Sequence, residues 1–118
     1  NNLKNRVVKA GYTPYPQVSI AFQVSDIFVL PSSFEGLPKV VIQSLACGVP
    51  ALVSGFKLSE QVEGLYYLDN LDPQNIAQSI KNIIENPKPV NIAKILHFYT
   101  WDEKAKQVEK VYEIIKNK

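Results

Sequence analysis

The sequence predicts an α/β protein built as a Rossmann-like, largely parallel sheet with flanking helices. Two observations predict this class. Short apolar runs rich in β-branched and aromatic residues alternate along the whole chain with segments whose apolar residues recur at helical spacing, the pattern of successive βαβ units. Glycines and prolines stand at the joints between the runs. The 118 residues are enough for one domain core and too few for two.

Each element has its own local reason. Val7, Val8 and Ala10 predict a first strand closed by Gly11. Pro14 and Pro16 then open a helix with Ile20, Ala21 and Val24 on one face, ended by Asp26. Residues 27–30 are the strongest buried strand, and residues 31–37 are a loop of small residues. Pro38 fits the first position of the next helix, where Val41, Ile42 and Leu45 repeat at helical spacing until Gly48 stops it. Strands over 50–53 and 65–68 flank a turn region around 55–63. Asp72 and Pro73 cap and start a helix whose Ile76, Ile80, Ile83 and Ile84 predict a buried stripe, and Asn86 and Pro87 end it. Residues 100–118 form the terminal helix: Thr100 and Glu103 make a capping box, and Trp101, Ala105, Val108, Tyr112 and Ile115 recur at helical intervals. That stripe needs a surface to pack on, whereas Asp102, Lys106, Lys110 and Glu113 read as a solvated face. Phe98, Tyr99 and Trp101 read as packing for this helix rather than as a platform for stacking a sugar.

Composition excludes several classes of function. Thirteen basic and eleven acidic residues give a net charge of +2 with no Lys/Arg cluster, so nucleic acid is not an expected partner. The longest apolar stretches, 27–30 and 40–42, are far too short to cross a bilayer. Cys47 stands alone and can form no internal disulfide. With no signal peptide at the start of the chain, the expected compartment is the reducing cytosol. Cys47 itself reads as a small packing residue. His97, the single histidine, has no Cys, Asp or Glu at ligand spacing, so no metal site is expected. The glycines form no GxGxxG, which argues against a dinucleotide oxidoreductase. No acidic cluster follows an early strand, which argues against a receiver-like regulatory domain. The chain contains no methionine and starts at Asn1, so an excerpt of a longer gene product is expected.

In an open parallel sheet, ligands sit beyond the carboxyl ends of the strands, which directs attention to the loop after the strongest strand. It reads Pro31-Ser32-Ser33-Phe34-Glu35-Gly36-Leu37-Pro38. Small hydroxyl residues, a carboxylate, a glycine that lets a ligand near the backbone and a helix start together predict an anion site. Free N–H groups and the positive end of the helix dipole can hold a diphosphate without a basic side chain. Glu35 can accept hydrogen bonds from sugar hydroxyls and favour positive charge on an anomeric carbon. Ser32 and Ser33 read first as loop-capping hydroxyls. Gly36, Lys39 or Val40, and Gln43 share one face if the span is helical, which puts Gln43 about 12 Å along the axis from Glu35.

Residues 25–32 (Ser-Asp-Ile-Phe-Val-Leu-Pro-Ser), followed by Phe34-Glu35-Gly36-Leu37-Pro38 and by Ser44-Leu45-Ala46-Cys47-Gly48-Val49-Pro50, resemble the nucleotide-sugar half of GT-B glycosyltransferases of the group 1 type, glycosyltransferase family 4. Arg6-Val7-Val8 to Gly11-Tyr12, Gly64 to Leu68 with Asp72-Pro73, and Tyr99-Thr100-Trp101 extend the resemblance over nearly the whole chain, residues 1–118 being a partial C-terminal, donor-binding domain. It implies a retaining, metal- and cofactor-independent transfer of a hexose from a nucleoside diphosphate sugar. The acceptor would be a polysaccharide, lipid or other glycan precursor, held mostly by an N-terminal domain outside this chain. It also implies a cytoplasmic protein, with peripheral placement at the membrane face open to the full-length form. The implied donor site comprises Ser33, Glu35, Gly36, Leu37, Pro38, Lys39 and Gln43, with Glu35 in the catalytic role.

Two departures stand out. The family carries two glutamates separated by seven residues, the first on the donor sugar and the second on the ribose. Here the first is Glu35 and the second position holds Gln43, which lacks a carboxylate's charge-assisted strength. After Val53 the family has a threonine or aspartate and paired glycines, where this chain has Ser54-Gly55-Phe56-Lys57 with Glu60 following. The resemblance further places a phosphate-neutralising Arg and Lys, and two central strands, ahead of Asn1. A 118-residue chain made alone is therefore expected to associate and to transfer no sugar. A non-catalytic binding or structural module with the same fold is the alternative.

Overall fold

A computed structural model describes residues 3–14, 17–36 and 38–117. Its elements are α1 (Val18–Gln23), β1 (Phe28–Pro31), α2 (Lys39–Ala46), β2 (Ala51–Ser54), β3 (Leu65–Tyr67), α3 (Pro73–Glu85), α4 (Ile92–Tyr99) and α5 (Trp101–Lys116). Among the described residues the sheet has three strands in the order β1-β2-β3, all parallel, so the Rossmann-like α/β class holds. Register sets Phe28 beside Ala51 and Leu30 beside Val53, then Ala51 beside Leu65 and Val53 beside Tyr67.

Alternation of side chains divides this sheet into two unequal faces. Ala51, Val53 and Leu65 point to the side where Val41 and Leu45 of α2, Ile95 of α4 and Val62 form one buried core, with Phe28, Leu30 and Tyr67 packed around it. Leu52 and Tyr66 point the other way, toward Ile83 of α3, across a cleft of about 330 Å³ bordered by Ser79, Asn82, Asn86 and Lys88. Only β2 is buried at every residue, as a central parallel strand covered on both faces should be. Pro31, which has no N–H for a ladder, ends an edge strand, where it does least harm.

The helices differ from expectation in instructive ways. Pro38 is the N-cap of α2, with extended ψ, rather than its first residue. Buried Ser44 donates from Oγ to the Val49 carbonyl at 3.0 Å and closes the turn into β2, a role its apolar surroundings in sequence do not announce. Asp72 caps α3 by accepting from Gln74 N–H, as predicted. Of the expected stripe, Ile83 is buried, Ile76 and Ile80 are half-buried, and Ile84 is exposed because one short parallel sheet cannot reach round that far. In α1, Phe22 goes inward and meets Phe28 edge-to-face at 5.4 Å between centroids, while the predicted face, Ile20 and Ala21 with Val24 at the C-cap, is exposed. Six residues give too little helix for a stripe, so one aromatic anchor decides the orientation.

Two expectations fail outright, and the structure adds one helix. Val7, Val8 and Ala10 form no strand, and the two valines are 63% and 86% exposed: no described strand lies beyond β1 to take their ladder bonds or cover their side chains. Residues 92–99, between Pro89 and Thr100, are a helix that the sequence reading left unassigned. Asn91 caps it by accepting from Lys94 N–H at 3.1 Å, and Ile95 is 1% exposed. The stripe of α5 packs on nothing among the described residues, and Trp101 is 82% exposed rather than a packing residue. Tyr99, by contrast, does pack against the core, from α4.

Gly64 fits its place for two reasons. Its φ is +95°, and a Cβ there would lie 2.6 Å from Val90 Cγ2. Gly64→Ala should therefore cost about 2 kcal/mol. Urea unfolding monitored by circular dichroism checks this, and an unchanged midpoint would contradict it.

Candidate functional site

The carboxyl ends of β1 and β2 lie side by side, since Pro31 pairs with Ser54, and this brings the loop after β1 against the turn after β2. Ser54 Oγ donates to the Ser32 carbonyl at 2.6 Å. Ser32 Oγ donates to Glu35 Oε1 at 2.8 Å, and the Glu35 N–H donates to the Gly55 carbonyl at 2.9 Å. These three bonds close a loop of polar contacts between two segments 22 residues apart. The approach is close enough that glycine is required. Gly55 has φ +89°, and a Cβ there would stand 3.0 Å from both Phe34 N and Ser32 O, which are backbone atoms without freedom to give way.

Glu35 is thus half-buried and oriented through one oxygen, while Oε2 makes no hydrogen bond among the described residues. It precedes α2 instead of lying on it, so the helical spacing between Glu35 and Gln43 does not apply. Gly36 is surrounded by open space, with nothing within 4 Å of a Cβ built there. Ser33 is exposed, Lys39 is exposed on the first turn of α2, and Gln43 is half-buried on that helix with no hydrogen bond to Glu35. Leu37 lies outside the described residues. The α2 N-terminus has no side-chain cap, which leaves its first N–H groups to other partners. Pro38 contributes no N–H, so the donors there are Lys39 and Val40. Ser54 and Gly55 are the residues that sequence reasoning undervalued, because their partners are distant in the chain.

A second polar cluster holds the β2–β3 connection to α4. Tyr99 Oη donates to Glu60 Oε2 at 3.1 Å, Lys94 Nζ donates to the Gln61 carbonyl, and Lys104 Nζ lies 5.2 Å from the Tyr99 ring centroid. Glu60 is held below the usual carboxylate range by its backbone hydrogen bond first and by Tyr99 second. Burial, then the bond to Glu60, pushes the Tyr99 phenol up to about 12. Lys57 Nζ in the same connection lies 5.5 Å from the Tyr67 ring, and Tyr67 Oη accepts from Leu58 N–H. Cys47 is half-buried at the C-cap of α2, and exposed His97 touches Phe98 edge-to-face. Among the described residues no three His, Cys, Asp or Glu side chains gather as metal ligands. No helix among them is long and apolar enough to cross a membrane.

The Rossmann-like sheet thus sets a carboxylate-bearing loop beside a helix start at its carboxyl edge, the edge at which open parallel sheets bind ligands. The family model described as "Glycosyl transferases group 1" matches residues 1–100, and the chain belongs to that family. An uncharacterized glycosyltransferase of Methanocaldococcus jannaschii is 25% identical over 95% of this chain and 31% of its own length. A D-inositol 3-phosphate glycosyltransferase of Thermobispora bispora is 27% identical over 84% of this chain and 25% of its own length. An Escherichia coli UDP-Gal:alpha-D-GlcNAc-diphosphoundecaprenol alpha-1,3-galactosyltransferase is 37% identical over 45% of this chain and 13% of its own length. The chain therefore spans less than a third of each of these relatives. No solved structure is a significant match.

Two outcomes follow from the geometry. Gly55→Ala should cost about 2 kcal/mol and speed amide exchange at Glu35, whose N–H bonds to Gly55; hydrogen-exchange NMR checks this, and unaltered exchange at Glu35 would contradict it. Tyr99→Phe should destabilise the fold most at intermediate pH. Glu60, with its pKa lowered on folding, contributes stability that is present above its ordinary 4.5 and lost as pH falls through the lowered value. Tyr99, with its pKa raised, contributes stability that is present below 10 and lost as pH rises through about 12. The stability advantage of the wild type over Tyr99→Phe should shrink as pH falls and Glu60 is protonated, and shrink again as pH rises and the buried phenol ionises; a pH-independent difference would contradict the pairing.

Proposed function

We propose that this chain is the donor-binding part of a retaining glycosyltransferase of GT-B architecture, family 4, which moves a hexose from a nucleoside diphosphate sugar to a glycan, polysaccharide or lipid-linked acceptor. One observation carries the reading: the contacts from Ser54 and Gly55 hold Glu35 at the carboxyl edge of the sheet with Oε2 left for a ligand. Family membership supplies the reaction class.

In this reading the diphosphate rests at the start of α2, on the N–H groups of Gly36, Lys39 and Val40 and the positive end of the helix dipole, with the Lys39 ammonium nearby. Pro38 sets the approach of the chain to that helix, and Ser33 offers a hydroxyl at its rim. The open space at Gly36 admits the ligand to the backbone. Glu35 binds sugar hydroxyls and stabilises positive charge at the anomeric carbon as its bond to the diphosphate breaks. The electron pair leaves on the diphosphate oxygen, and the acceptor hydroxyl oxygen forms the new bond as its proton passes to that diphosphate oxygen. Gln43 hydrogen-bonds the ribose. No cofactor or metal enters this step, and no side chain of this chain forms a covalent intermediate. The acceptor groups belong to a separate N-terminal domain, so the 118 residues alone transfer no sugar. The proposed compartment is cytoplasmic, at the membrane face where the acceptor is a lipid.

A second reading, a binding module without transfer, is favoured by Gln43 standing where the family resemblance places a glutamate. Transfer by the full-length protein with Gln43 intact would eliminate it.

Calorimetric titration with nucleoside diphosphates and their sugar conjugates tests the assignment. Glu35→Gln should weaken the sugar conjugate roughly tenfold and leave the diphosphate unchanged. Gln43→Glu should tighten both by about 1 kcal/mol. Equal loss for the two ligands in the first variant, or no gain in the second, would remove that residue from the site.

A further inference from the structure

Ser32 is tied to the sheet and to the candidate site at once. Its N–H donates to the Leu30 carbonyl at 3.1 Å, which fixes it to the end of β1. Its carbonyl accepts from Ser54 Oγ at 2.6 Å, which fixes it to the end of β2 as well. Its hydroxyl then donates to Glu35 Oε1 at 2.8 Å. Ser33, the other hydroxyl of this loop, is exposed and takes no part in these bonds.

Donor and acceptor chemistry decides where each proton lies. A carbonyl and a carboxylate only accept, so the O–H of Ser54 is committed to Ser32 and the O–H of Ser32 to Glu35. A serine hydroxyl carries a single proton. Ser32 therefore has no donor left for a diphosphate, and its influence on a ligand runs through the carboxylate that it holds.

The bond from Ser32 is charge-assisted and is the one side-chain hydrogen bond that Glu35 makes among the described residues. A glutamate side chain turns about several bonds, and a free one spreads over many rotamers. Here the Glu35 N–H is held by the Gly55 carbonyl and Oε1 by Ser32, so both ends of the side chain are anchored and Oε2 takes a defined direction. A hydroxyl that donates to Oε2 meets a carboxylate already in place instead of ordering it on arrival.

We propose that Ser32 is a positioning residue of the donor site: it holds Glu35 in the arrangement that presents Oε2 to the donor sugar, and it acts on the sugar only through Glu35. This rests on the donor-site reading given under the proposed function.

Two measurements on the 118-residue chain test it. The first needs no ligand. Three-bond side-chain couplings of Glu35, measured by NMR, should report a single rotamer in the wild type and in Ser32→Thr, which keeps the hydroxyl, and averaged rotamers in Ser32→Ala. A single rotamer in Ser32→Ala, or averaging already present in the wild type, would overturn the proposal. The second is calorimetric titration with UDP, GDP and ADP and with their glucose conjugates. Ser32→Ala should weaken the conjugates roughly three- to fivefold and leave the bare diphosphates unchanged, while Ser32→Thr binds as the wild type does. Ser32→Ala combined with Glu35→Gln should bind the conjugates no more weakly than Glu35→Gln alone, since the hydroxyl acts through that carboxylate. Equal loss for diphosphates and conjugates, or a double variant weaker by the full Ser32→Ala factor, would overturn the proposal. If Glu35→Gln weakens the conjugates and Ser32→Ala does not, the donor-site reading stands and the role of Ser32 alone falls. If Glu35→Gln leaves them unchanged, or no conjugate binds, the donor-site reading falls and this proposal falls with it.

Discussion

The turn at Ser54-Gly55 is the constraint on which the chemical end of this molecule depends. β2 is the one strand buried along its whole length, so its carboxyl end is the most firmly fixed point of the sheet. From that point a hydroxyl and a carbonyl reach across to the loop after β1 and hold its backbone at a distance that admits no side chain on residue 55. Glu35 therefore inherits its position from the centre of the fold. A loop of that exposure, with Phe34 84% accessible, would otherwise sample many arrangements, and the entropy of ordering it would fall on any ligand.

Packing is uneven around this point. One face of the sheet carries the core formed with α2 and α4, and a polar clamp from Tyr99 and Lys94 to Glu60 and Gln61 fastens the β2–β3 connection to it. The other face has α3, with Ile83 as its single buried residue. Stability should be concentrated on the α2–α4 side, and the proposed donor loop sits at its edge, where order is enough to position a carboxylate and openness is enough to admit a ligand. The Cα radius of gyration, 17.1 Å, exceeds the roughly 13.5 Å of a compact domain of this length. Exposure of residues 3–12 and of α5 accounts for the excess.

Much of this was legible in the sequence, for reasons that differ by element. The β1-α2-β2 unit was clear because local signals agree: an apolar run, a proline at the helix entry, apolar residues at helical spacing and a glycine stop. The Asp72 cap and the Thr100 cap were equally local, and both side chains accept the predicted bond. The strand over 7–10 was misread because a strand needs a neighbour, and periodicity carries no information about one. α4 was missed because Pro87 and Pro89 suggest irregular chain, although Asn91 and the spacing of Ile92, Ile95 and Tyr99 carry its cap and its face. Within the candidate site, Glu35 and the helix start stand out in the sequence through the residue types of one loop, whereas Ser54 and Gly55 matter through contacts 22 residues away. The chain's membership of the group 1 glycosyl transferase family rests on signals spread over residues 1–100.

The proposed donor site is this loop together with the start of α2. Titration of the isotopically labelled chain with a nucleoside diphosphate, followed by amide chemical shifts, tests it most directly. Saturable shifts are expected at Glu35, Gly36, Lys39 and Val40, with the amides around Ser79 and Asn82 on the opposite face unmoved. Shifts confined to the cleft beside α3, or none at the loop under saturating ligand, would contradict it.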